Sequence, residues 1–157
     1  MWNPLSLFKS HADKLLTASD KQLLVQAIQA AEKTTSGEIR VYVESSIPKN
    51  MDALQRAAEK FAKHKMAATH ERNGVLVYVA VKDKKLAIYG DQGIHEKVGD
   101  AFWNAQVQDM IAHFKNTHYV KGMVQVIEGI GKALSNHFPY DRLTDDNELS
   151  DEIMIGK

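Results

Sequence analysis

The unbroken apolar run "VLVYVAV" (75–81) limits what this chain can fold into more than any other stretch. A strand with one wet face alternates apolar and polar residues, whereas a run without polar interruption belongs to a strand buried on both faces. Such a strand needs a packed layer above it and another below. "RNG" (72–74) opens the run, and the polar turn "KDKK" leads into "LAIYG" (86–90), which reads as the returning strand of a hairpin. "IRVYVES" (39–45) alternates at period two with β-branched residues and supplies a third strand.

The remaining segments carry helical spacing. Residues 6–16 offer Leu7, Phe8, Ala12, Leu15 and Leu16 to one face and read as a short helix docked on the core. Thr17 or Ser19 caps the next helix, Asp20 suits its first turn, and Gly37 ends it. Its buried stripe is Leu23, Leu24, Ala27, Ile28 and Ala31. A helix from about Met51 to Ala67 turns Leu54, Ala57, Ala58, Phe61 and Ala62 to one face. Two more follow, over roughly 94–115 with a break near Gly99 and over 119–136, and Pro139 closes the structured part. The order is α-α-β-α-β-β-α-α. A strand–helix–strand unit takes a right-handed crossover with parallel strands, and the hairpin turns the third strand back. The expected fold class is α/β, a three-layer domain with a small mixed sheet and helices on both faces. Residues 1–17 are an N-terminal helical extension, 18–140 the α/β domain, and 141–157 an acidic C-terminal tail, extended or loosely packed.

Composition removes several function classes. Lys plus Arg and Asp plus Glu number 20 each, so nothing basic enough to track a phosphate backbone is present, and nucleic acid is excluded as the main partner. The absence of cysteine removes disulfides, thiolate zinc sites and cysteine nucleophiles. "MWNPLSLFKSHADKLL" lacks a secretory pattern, and no run approaches the ~18–20 apolar residues that span a bilayer, so a cytoplasmic location without a membrane span is expected. The Asp-x-Asp-x-Asp-Gly loop of an EF-hand, the Gly-Lys-Ser/Thr of a P-loop, a zincin His pair and a Gly-x-Ser-x-Gly elbow are all missing. His64, His113, His118 and His137 are scattered over helices as surface or boundary residues, while Trp103, Phe102 and Phe114 read as core.

Topology converts distant positions into neighbours. With 39–45 and 75–81 parallel, their starts share one rim of the sheet, and the antiparallel strand 86–90 finishes there. Gly37-Glu38, Arg72-Asn73-Gly74 and Gly90-Asp91 therefore converge, and a break at Gly99 lets Asp100 fold back toward them. Glu38, Asp91 and Asp100 would supply carboxylate oxygens, with Asn73 a neutral donor, around one divalent cation. This hard-oxygen set suits calcium or magnesium better than zinc or copper. Each residue also has a plainer reading: Asp91 as a turn former, Asp100 as a helix cap, Glu38 as a solvated strand end, and Glu96 as a first-turn dipole partner. Helix N-termini at the same rim also suit an anion such as phosphate.

The segments "AIQAAEKTTSGEIRVYVES", "RNGVLVYVAVKDKKLAIYGDQGIHEKVGD" and "HFPYD" resemble the TPM domain, over about residues 18 to 140. The family takes its name from a thylakoid lumen phosphatase-like protein, a photosystem II repair protein and a nematode receptor modulator. The resemblance implies a Rossmann-like α/β/α sandwich with an acidic divalent-cation site at one end of the sheet, calcium being the usual ion. Its matching positions are Glu38, Asn73, Asp91 and Asp100. Plant members are associated with acid phosphatase activity on phosphate esters, and others with membrane-protein maintenance or receptor assembly. Many members carry Asp before the Asn-Gly pair, where this chain has Arg72. The expected function is a soluble domain that binds calcium or magnesium, with metal-dependent phosphate-ester hydrolysis as its enzymatic extension. A bound cation would polarise a phosphoryl oxygen and activate water, although no base or nucleophile stands out. The alternative is a non-enzymatic interaction module in which the cation only orders the rim loops, with a protein partner for the tail or the N-terminal helix.

Overall fold

The computed structural model describes residues 16–115, 119–140 and 149–156. The helix expected over 6–16 lies outside them, save for Leu16. Within them the order is α1 (Ala18–Glu32), β1 (Glu38–Glu44), α2 (Ala53–Lys63), β2 (Gly74–Ala80), β3 (Lys85–Gly90), α3 (Gln92–Lys115), α4 (Tyr119–His137) and β4 (Met154–Ile155). The sheet order is β3-β2-β1-β4, with β1 parallel to β2 and to β4 and β3 antiparallel to β2. All seven residues of β2 are buried, as its unbroken apolar run requires.

One face of the sheet carries Val41, Val43, Val75, Val77 and Ile88 against Leu24, Ile28, Met110, Ile127 and Leu134 of α1, α3 and α4. The other carries Tyr42, Leu76 and Tyr78 against Ala57 and Phe61 of α2 and Met66 just beyond it. The three-layer α/β arrangement is therefore present.

Local chemistry sets the helix ends. Thr17 Oγ1 accepts the Asp20 N–H while the Asp20 carboxylate accepts the Thr17 N–H, both at 3.0 Å. Asp52 and Gln55 repeat this box on α2. Gly99, at φ 75 and ψ 175, breaks α3 where the sequence places the break, in a conformation that favours glycine.

Four expectations need correction. Leu23 and Leu54 are 51% and 55% exposed, and Ala62 is exposed too, because each helix buries a narrower stripe than its apolar count suggests. Gly37 does not stop α1, which ends at a right-handed Lys33; Gly37 instead packs where a Cβ would stand 2.6 Å from Leu134. Helix α2 stops at Lys63, since Lys65 takes a left-handed φ of 55. Part of the C-terminal tail is ordered as β4, an edge strand that the acidic composition concealed.

Candidate functional site

The rim forms where β1 and β2 begin and β3 ends. Glu38 is paired with Gly74, Val75 with Gly90, and the Asp91 N–H donates to the Gly74 carbonyl at 2.9 Å. Glu38, Asn73 and Asp91 thus meet at one end of the sheet, as the topology demands. All three are buried.

Their side chains do different things. Asp91 receives a two-pronged contact from Arg72, at 2.6 Å from Nε and 2.8 Å from Nη2, and accepts the Gln92 N–H at 2.8 Å. This pair raises the Arg72 pKa and meets the negative charge of Asp91 from within the chain. Asn73 Nδ2 donates to Ser36 Oγ at 3.1 Å and to Glu71 Oε2 at 3.4 Å, while its buried Oδ1 has no hydrogen-bond partner among the described residues. Asp100 follows the Gly99 kink, but its side chain is 89% exposed and lies 3.7 Å from His95 Nε2. The structure therefore gives Asp91 to Arg72 and leaves Asp100 beside His95 in solvent.

Glu38 meets two residues that sequence reasoning did not select. One oxygen each of Glu32, Glu38 and Asp151 lies within 4.8 Å of the others. Glu32 ends α1 and accepts the Ile39 N–H at 2.8 Å. The turn through Thr34–Gly37 folds it back over the start of β1. Asp151 arrives with the segment that forms β4. Burial, above all, pushes the Glu32 carboxyl far above the carboxylate range, and hydrogen bonding to Asp151 and Glu38 adds to it, with the Ile39 N–H opposing. Arg40 lies near Asp151 and Glu152, whose charges oppose the lowering that burial imposes on its pKa. The sequence signal for Asp151 was the apolar "IMI" that follows it, which anchors the tail to the sheet.

A second polar cluster occupies the far end of β1. Arg56 binds Glu44 at 2.8 Å through Nε and 2.9 Å through Nη2, and Tyr78 donates its hydroxyl proton to the same carboxylate. Burial favours the neutral acid, but Arg56 and Tyr78 together outweigh it and hold Glu44 below its ordinary pKa.

Beside β3 runs a groove of about 970 Å³, bordered by α2 at one end and by α3 along its length. His95 and Trp103 stand at its rim end, the indole N–H donating to His95 Nδ1 at 3.0 Å.

The chain is similar to known proteins. The TPM domain model matches residues 10–133. BA42 from the psychrophilic bacterium Bizionia argentinensis, solved by NMR, is 42% identical, with 92% of this chain and 97% of that one covered and a TM-score of 0.83. The N-terminal domain of a P. gingivalis protein shares the fold at 16% identity and a TM-score of 0.61, over 82% of this chain and 83% of that one. The N-terminal domain of cg2496 from Corynebacterium glutamicum does so at 14% and 0.57, over 78% and 76%. No curated protein matches.

Proposed function

The chain belongs to the TPM domain family, and from that premise we propose that it binds a hard divalent cation, calcium or magnesium, through Glu32, Glu38 and Asp151. One observation carries the reading: three carboxylates from α1, β1 and the C-terminal segment place an oxygen each within 4.8 Å of the others. Three such groups repel unless a proton or a cation offsets them. The raised Glu32 pKa marks the proton as one solution, and a divalent ion is the other. The donor set fits such an ion, because carboxylate oxygens are what calcium and magnesium take. Asn73, whose backbone carbonyl accepts the Glu38 N–H at 3.4 Å, follows on the same rim, its buried side-chain oxygen having no hydrogen-bond partner among the described residues. Asp91 and Asp100 rank behind this set, since Arg72 already meets the first and solvent surrounds the second.

The test is a calcium and magnesium titration of chelator-stripped protein, followed by backbone NMR. Shifts centred on residues 32, 38–39 and 151, abolished by Glu38→Gln, are expected. Shifts centred on 91 and 100 would move the ion to the other carboxylates, and none at millimolar ion would end the proposal.

Phosphate-ester hydrolysis is the second reading. It is favoured by His95 and Arg72 lining one groove, with His95 Nδ1 occupied by the Trp103 N–H, so that a neutral His95 carries its proton on Nε2. Metal-dependent turnover of a phosphate ester that His95→Ala abolishes would establish it.

A further inference from the structure

All six residues of β3, Lys85 to Gly90, line the groove beside it. Side chains of a strand alternate between faces, so consecutive lining means that the backbone edge itself forms the floor. The hydrogen-bond pattern agrees. The Asp91 N–H points to β2, and the register from Val75–Gly90 to Ala80–Lys85 fixes the alternation that follows. Lys85, Ala87 and Tyr89 bond to β2, while Leu86, Ile88 and Gly90 turn their N–H and carbonyl groups into the groove. The groove follows the strand for roughly 20 Å, at ~3.3 Å per residue. The half-exposed Leu54 lies at the far end, and Trp103 at the rim end.

The open charges are polarised along it. At the far end Lys85 is exposed, and Asp52 is engaged in its own capping box. At the rim Arg72 is taken up by Asp91, which leaves the 89% exposed Asp100.

We propose that this groove receives an extended segment of another polypeptide, added antiparallel to β3 as an extra strand. The segment has a basic residue toward its N-terminal end and an acidic one about six residues later. Main-chain bonds to Leu86, Ile88 and Gly90 supply the affinity, and the charged ends set the direction. An antiparallel guest runs from the rim to the far end, so its basic residue meets Asp100 and its acidic residue meets Lys85. A parallel guest of this charge order would bring like charges together at both ends.

The test uses two synthetic heptapeptides blocked at both termini, "KTVTVTE" and its charge-swapped partner "ETVTVTK", titrated into the full chain by NMR. The first is expected to shift the amides of Leu86, Ile88 and Gly90 and the Trp103 indole N–H, and to bind roughly tenfold tighter than the second. Lys85→Glu, a change at an exposed position, should erase that preference. No shift at millimolar peptide, or equal affinities unaffected by Lys85→Glu, would overturn the proposal. So would self-association of the protein alone moving the same amides, since the occupant would then be a second copy of this chain.

Discussion

The two ends of β1 carry buried glutamates in opposite circumstances. Glu44 and Glu38 are 2% and 3% exposed on the same strand. Glu44 is met by a guanidinium and a phenol, and its pKa falls. Glu38 is met by two further carboxyls, and the pKa of Glu32 beside it rises. The first cluster is closed within the chain and acts as structure. The second brings three carboxyls together with Arg40 near Asp151, and it is the cluster to which the proposed cation is assigned.

The largest expected effect breaks the closed cluster. Arg56→Ala leaves Glu44 buried without its guanidinium and should cost about 3–5 kcal/mol, roughly 10 °C in Tm, by thermal and denaturant unfolding. A loss below about 1 kcal/mol would show that Glu44 is not held as described. Tyr78→Phe removes one hydrogen bond from the same carboxylate and should cost about 1–2 kcal/mol in the same assay.

The pH dependence of the two clusters has opposite sign. Glu44 has a folded pKa below its ordinary 4.5, so its contribution is present above that pH and is lost as pH falls through the folded value. Glu32 has a raised folded pKa, so its contribution is complete below 4.5 and is lost progressively as pH rises toward the folded value. Glu32→Gln removes that alkaline loss. In metal-free buffer it should gain about 2–4 °C on the wild type between acid and pH 9. A flat difference between the two melting curves would break the contrast between the ends of β1. The smallest effect is at Asp100, where Asn should change stability by less than about 0.5 kcal/mol and leave calcium affinity nearly unchanged.

What the sequence revealed follows from how far each signal reaches. The buried run of β2, the hairpin and the Gly99 break are encoded in contiguous residues, and topology alone carried Glu38, Asn73 and Asp91 to one rim. The partners of Glu38 were not legible in that way. Glu32 looks like any polar residue at a helix end, and only the path of the turn through Gly37 brings it back. Asp151 lies in a segment whose acidic composition hid a two-residue strand. Arg72 stands where many members carry Asp, and its two-pronged contact with Asp91, made from a left-handed backbone at φ 53, is written in no local pattern. Leu23 and Leu54 were misplaced because apolar periodicity marks a helix face without fixing how much of it the neighbours cover.

The central claim is that a cation bound by Glu32, Glu38 and Asp151 takes the place of the proton that burial keeps on Glu32, and calorimetry reads it directly. Calcium binding to chelator-stripped protein would be measured at pH 7.5 in two buffers of different ionisation enthalpy. The account predicts release of close to one proton per bound ion, abolished by Glu32→Gln. Calcium binding without proton release, or release that persists in Glu32→Gln, would contradict it.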